Sequence, residues 1–179
     1  MKKYGLFPII FTIVFCSISS CKKEKDDHLE RWMIANLTAF NAIKANPEYK
    51  ELASPGNEGS IYYKVLEKGE GTDSIMYTSL VSCFYKGYFV ADYPEFYITK
   101  GTAFDQRLFD DGPPAYFTVN GVVNGWKTAL QHMVKGDKWE IWIPYQLGYG
   151  RSGSGNSIPG YSTLVFELEI VNVAGVDNL

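Results

Sequence analysis

Two hydrophobic periods divide the chain. Between His28 and Leu52 the apolar positions Leu29, Trp32, Met33, Leu37, Phe40 and Ile43 recur every three or four residues. That spacing predicts an amphipathic helix, interrupted near Asn46-Pro47. Such a segment is too short to form a core of its own, so it must pack on the rest of the domain or on a second copy of itself. The turn-rich stretch Ser54 to Ser60 follows, and from Ile61 the period becomes two. Ile61, Tyr63 and Val65 alternate with Tyr62, Lys64 and Leu66, and Gly69 to Thr72 makes a turn. A long strand is expected from about Tyr77 to Val90, with Leu80, Ser82 and Phe84 on one face and Val81, Cys83 and Tyr85 on the other.

Ala91 to Thr102 is aromatic and carries Pro94, so it reads as a loop or a broken edge strand, leading to Phe104-Asp105. Ala115 to Val119 is a further short strand. The run GVVNGWKTAL then returns to helical spacing. Asn124 can cap it, Gly125 leaves room, and Trp126, Ala129, Leu130 and Met133 fall on one face, with Gly136 as a C-terminal stop. Two alternating strands close the chain, Lys138 to Ile143 and Thr163 to Val173. The second buries Leu164, Phe166, Leu168 and Ile170 and shows Glu167 and Glu169. The pattern therefore predicts an α+β fold: an antiparallel sheet of about five strands wrapped around one short helix, preceded by an N-terminal helical extension. The extension and its linker take residues 28–56, and the domain proper 57–179.

The first residues change this picture. Lys2 and Lys3 precede an apolar stretch, Leu6 to Ile18, too short for a comfortable membrane span. It ends in Ile18-Ser19-Ser20-Cys21, which resembles a bacterial lipobox, with residues 1–20 as the signal peptide and Cys21 as the acylated residue. Lys22 to Asp27 would be a charged, solvated tether, residues 21–27, similar to that of some Bacteroidetes lipoproteins. The resemblance implies an outer membrane lipoprotein, facing the periplasm or the cell surface. Losing residues 1–20 removes Lys2, Lys3 and no acid, so the formal charge falls by two from −3. Of three cysteines, only Cys83 then remains as a thiol, and it reads as a small buried hydrophobe in a chain with no disulfide framework.

Composition excludes several functions. The chain is 46% hydrophobic and 16% aromatic, with no basic stripe, so nucleic acid is an unsuited partner. His28 and His132 are the only 2 histidines, which argues against a His-rich metal site and a Ser-His-Asp triad. The Gly/Ser-rich stretch Gly148 to Gly160 joins two strands rather than a strand and a helix, so it reads as a pocket rim and not as a phosphate cradle. No cofactor or metal is expected.

The segments YYKVLEKGEG, FYKG (Phe84 to Gly87), AFD (Ala103 to Asp105), PAYFTV, GVVNGW, MVKGDKWEIWIP, LGYG and IPGYSTLVFELEI stand in a telling order. From Ile61 to Val173 the chain resembles the FKBP-type peptidyl-prolyl cis–trans isomerases. The resemblance implies a pocket floored by Trp126 and walled by Tyr85, Phe104, Val122, Val123, Ile158 and Phe166, with Phe117 behind. It implies Tyr149 as the hydroxyl that bonds a ligand carbonyl and Asp105 as the carboxylate beside the twisting amide, so that Tyr85, Asp105 and Tyr149 are the catalytic candidates. It also implies proline-containing unfolded or exported polypeptides as substrates and macrolides as inhibitors. The helix over 28–52 would serve for homodimerisation. The stretch from Gly87 to Phe104 is longer than the family pattern.

Overall fold

The computed structural model describes residues 18–90 and 100–174, with side chains described from Asp27 onward. Most of the expected signal peptide and the side chain of Cys21 thus lie outside the described residues, as do 91–99 of the expected loop. Helix α1 runs from Ile18 to Lys44, and seven antiparallel strands follow: β1 Lys50–Ala53, β2 Ser60–Glu67, β3 Leu80–Val90, β4 Lys100–Arg107, β5 Ala115–Thr118, β6 Lys138–Ile143 and β7 Leu164–Ala174. Helix α2, Asn124–Leu130, interrupts them between β5 and β6. The spatial order is β1-β2-β6-β7-β3-β4, and β5 pairs with the opening residues of β3, ahead of β4 on the same side.

The inner face of the sheet wraps α2. Trp126, Ala129, Leu130 and Met133 are all buried there, as their spacing predicts, among Val81, Cys83, Ile141, Leu164, Phe166 and Leu168. Gly125 does leave room: a Cβ there would stand 2.4 Å from Cγ2 of Ile143. Asn124 is not the cap. Val123 holds that position with an extended backbone, and the Asn124 amide donates to Glu58 Oε2 at 2.7 Å. Gly136, at φ 87°, makes the left-handed turn before β6, as expected of a glycine in that place.

Four expectations change at the N-terminal end. The helix stops at Lys44 rather than Leu52, because Pro47 disfavours helical backbone at Asn46 and lacks an N–H to continue the ladder. Lys50–Ala53 is instead a strand, paired with β2 from Lys50↔Tyr63 to Ala53↔Ser60. Ser54 to Ser60 is therefore a turn inside the sheet, closed by Ser54 N–H donating to Gly59 O at 2.8 Å, with Asn57 at φ 54°. The tether over 21–27 has helical backbone and extends α1, as lysine- and glutamate-rich sequence favours. With β1 and β4 added, the sheet has two strands more than the five expected.

The outer face is divided. One end lies under α1, where Ala39, Phe40 and Ile43 pack with Tyr62, Val90, Trp142 and Val165. The alternation of β7 conceals this, since Val165 points away from the main core and is still fully buried. Beside it sits a buried carboxylate, Glu140, at 6% exposure. It accepts from Lys100 at 2.8 Å, from the Tyr49 hydroxyl at 2.5 Å and from Trp142 Nε1 at 2.8 Å. Lys100 also pairs with Glu167. Burial alone would raise the Glu140 carboxyl, but the bonds from Lys100, Tyr49 and Trp142 outweigh it and hold the group below the ordinary value.

Candidate functional site

A cavity of about 240 Å³ opens between α2, β3, β4 and the loop after β6. Its floor is Trp126, which α2 presents from its first turn. Three rings stand edge-on to the indole: Tyr85 at 5.4 Å, Phe117 at 5.4 Å and Phe166 at 5.2 Å between centroids. Edge-to-face contact places positive ring edges against the negative indole face and locks the floor in position. The indole Nε1 is buried and has no partner among the described residues.

The walls come from separate elements. Phe166 from β7 meets Phe104 from β4 at 5.5 Å and 82°. Gly87 of β3 makes that meeting possible, because a Cβ there would lie 2.6 Å from Phe166 and 2.8 Å from Phe104. Val122 and Val123 close the side next to α2.

Polar groups gather at the mouth. Tyr85 donates its hydroxyl to Asp105 Oδ2 at 2.9 Å, across the β3–β4 ladder. Burial first, then that bond and the Asp105 charge, push the Tyr85 phenol well above its ordinary value. Tyr149, 38% exposed, is raised by burial and by the charge of Asp105, so both phenols remain protonated donors across the physiological range. Tyr149 is held in a tight loop by Gly150 N–H bonding Tyr145 O at 2.8 Å and Gly153 N–H bonding Tyr149 O at 3.1 Å. Gly153, at φ 72°, has no space for a side chain, since a Cβ would fall 2.0 Å from Ile158 O.

The structure thus brings together Tyr85, Phe104, Asp105, Phe117, Val122, Val123, Trp126, Tyr149 and Phe166 around one cavity. Ile158 is not among the residues that line it, and packs at 8% exposure in the same buried cluster as Trp126 and Phe166, where the loop doubles back through the Ser154↔Ile158 bridge. Gly121 lines the cavity and was not singled out from sequence, although it opens the GVVNGW run. Its lack of a side chain is the missed signal: a Cβ would meet Thr118 Oγ1 at 2.9 Å. Cys83 is fully buried with its thiol pushed up to about 12 by burial, which makes it core and not a nucleophile. His132 is exposed, its Nδ1 within 2.9 Å of Thr128 O. Among the described residues no cluster of three His, Cys, Asp or Glu is placed to hold a metal. A second depression, about 330 Å³, lies by Phe84 and Phe109 but is lined by Lys86, Lys138, Glu167 and Glu169, and so offers no apolar enclosure.

An aromatic cavity with a few hydroxyls and one carboxylate, inside a sheet curled on one short helix, defines a class. Residues 71–171 match the FKBP-type peptidyl-prolyl cis–trans isomerases, and the chain belongs to that family. It is 35% identical over 150 residues to the FKBP-type 22 kDa peptidyl-prolyl cis–trans isomerase of Escherichia coli, covering 84% of this chain and 68% of that one. It is 39% identical over 77 residues to the outer membrane protein MIP of Legionella longbeachae, 41% of this chain and 33% of that one. Among solved structures, a peptidyl-prolyl cis–trans isomerase of Pseudomonas syringae superposes with a TM-score of 0.65 at 33% identity, covering 82% of this chain and 96% of that one. The chain is accordingly a peptidyl-prolyl cis–trans isomerase, acting on proline-containing peptides.

Proposed function

We propose that the cavity over Trp126 is where isomerisation takes place, and that the protein serves polypeptides exported to the cell envelope. The observation that carries the reading is the meeting of a closed aromatic floor with the Tyr85–Asp105 pair and Tyr149 at its mouth. The uncatalysed rotation crosses a barrier of about 18–20 kcal/mol and takes tens to hundreds of seconds. Rotation breaks no bond and needs no proton transferred to the enzyme. It needs a site that holds the twisted amide better than either planar isomer.

The residues supply that difference in two ways. Packed rings exclude the water that solvates the polar planar amide, so the planar forms lose more on entry than the twisted one. The Tyr149 hydroxyl, kept protonated, donates to the substrate carbonyl and fixes one end of the amide while the other turns. Asp105, oriented by the Tyr85 hydroxyl, places a negative charge beside the rotating bond. Proline fits because its ring is apolar and already cyclised, so little entropy is lost when it is seated on the indole.

Location and assembly form the rest of the proposal. Cys21, following Ile18-Ser19-Ser20, is read as the acylated residue that ties the protein to the outer membrane, facing the periplasm or the cell surface. The Legionella relative, an outer membrane protein, supports envelope association. Leu29, Ile34 and Leu37 stay exposed on α1 and support self-association through residues 28–52. The catalytic reading is tested by NMR exchange on a short Xaa-Pro peptide, with and without a macrolide. Wild type should accelerate exchange, the macrolide should abolish the effect, and Asp105→Val should lose most of it while keeping its melting temperature. Equally fast exchange by wild type and folded Asp105→Val would place the chemistry elsewhere, whereas equally slow exchange with equal suppression of client aggregation would make the cavity a holding surface.

A further inference from the structure

Helix α1 lies ahead of the matched span 71–171, on the opposite face of the sheet from α2, yet two of its residues reach the pocket's supports. Trp32 and Asn36 are one turn apart and therefore share a face. The Trp32 indole stands edge-on to Phe89 of β3 at 5.7 Å and 78°. Phe89 in turn lies 4.8 Å from Phe104, the wall that meets Phe166 over the Trp126 floor. A continuous chain of ring contacts thus runs from the helix to the base of the cavity.

Asn36 makes the second connection. It is 1% exposed, and both ends of its amide are bonded: Oδ1 accepts from Thr163 N–H at 2.7 Å and Nδ2 donates to Trp32 O at 2.9 Å. Its own carbonyl accepts from the Thr163 hydroxyl at 3.2 Å. Thr163 is the last residue of the loop that carries Tyr149, and it leads directly into β7 and Phe166. A buried amide with both ends satisfied fixes one geometry, since any shift leaves an unpaired group away from water.

We propose that α1 is a positioning element of the isomerase site: Trp32, through Phe89, holds the Phe104 wall, and Asn36 fixes the exit of the Tyr149 loop. Neither touches substrate. The inference rests on the reading of the Trp126 cavity as the site of isomerisation. Trp32 is only half-buried, so its truncation leaves the main core intact, and it is the variant of choice.

The test compares wild type, Trp32→Ala, Trp32→Phe and Asp105→Val, using the full chain. It measures peptide exchange, kcat against KM, and the methyl NMR shifts of Val122 and Val123 in the cavity. Trp32→Ala should lower kcat/KM about five- to tenfold and move both pairs of methyl shifts, and Trp32→Phe should restore most of each. If Trp32→Ala does not fold at the assay temperature, Trp32→Leu takes its place. Unchanged methyl shifts and kcat/KM with a lowered melting temperature would overturn the proposal, leaving α1 a stabilising cover. Wild-type turnover by Asp105→Val is a failure of the cavity reading instead, and the methyl shifts still decide whether α1 sets the cavity's shape.

Discussion

Changing Tyr85 to phenylalanine removes one oxygen and nothing else of consequence. The ring keeps its edge contacts with Trp126 at 5.4 Å and with Phe117 at 5.8 Å, so the floor and the cavity volume are preserved. What is lost is the donor to Asp105 Oδ2 at 2.9 Å. A hydrogen bond to a charged acceptor contributes about 1.5–3 kcal/mol, and the exposure of Asp105 places this one at the lower end. If the bond serves to aim the carboxylate at the twisting amide, about 1 kcal/mol of it appears in the barrier, which slows exchange about five-fold. Folding stability should change by less, so the melting temperature should move by no more than about 3 °C. The double variant Tyr85→Phe/Asp105→Val decides the matter, because two residues that act through one bond are not additive. Exchange measured by NMR should be no slower in the double variant than in Asp105→Val alone. Losses that multiply would refute the pairing and give Tyr85 a separate role.

Four other outcomes are expected. Glu140→Ala leaves Lys100 with Glu167 but strands the Tyr49 hydroxyl and the Trp142 indole N–H, which should cost about 1–3 kcal/mol and lower the melting temperature by about 5 °C in calorimetry, with exchange at 25 °C barely altered. Because the Glu140 carboxyl is held low, its share of stability is present above the unfolded carboxylate value of about 4.3 and lost as pH falls, so wild type should lose more stability on acidification than Glu140→Gln does. Cys83 titrates at about 12 when folded and about 8.5 when unfolded, so the native state holds the extra proton between these values; denaturant unfolding should show stability falling over that window, and Cys83→Ala should flatten its onset. Cys21→Ala should abolish partitioning into a detergent phase, and a variant that partitions like its parent would remove the lipid anchor from the proposal.

The inner face was legible in the sequence because its two periods do not interfere. Trp126, Ala129, Leu130 and Met133 repeat at helical spacing, while Val81, Cys83, Leu164, Phe166 and Leu168 repeat at two, and all of them meet in one cluster. The cavity lining was legible through the family resemblance more than through chemistry, since Val122, Phe117 and Phe166 would be core residues in any such sheet. Position on the outer face was not legible. Val165 and Trp142 look like isolated apolar residues on a solvated face, and only the arrival of α1 explains them. Leu52, nine residues after Ile43 and out of step with the helical stripe, packs on the main core from β1. The path of the loop that carries Tyr149 and Ile158 was not legible either, because a glycine-rich loop follows backbone turns that side-chain pattern does not encode. Glu140 meets Lys100 and Tyr49 across 40 and 91 positions of sequence, and no local pattern announces it.

Much of this site is built by side chains that are absent. Gly87 lets Phe104 and Phe166 touch above the floor, Gly125 lets α2 settle against Ile143, and Gly121 opens the mouth. Each would be a flaw in an ordinary strand or helix, since glycine costs about 0.5–1 kcal/mol there relative to alanine. Here Gly87 admits two rings and Gly125 a helix, where no larger residue would fit. Isomerisation asks for that trade. A reaction with no proton to pass and no bond to cut gains nothing from a reactive side chain, and everything from holding a dry shape that fits a twisted bond. A shape is only as good as its supports. The sheet carries rings on the inside, and on the outside the helix proposed above to hold them in place. Alanine at Gly87 should accordingly cost more in exchange than its 1–3 kcal/mol of overpacking costs in stability, since the two rings it separates are the walls themselves.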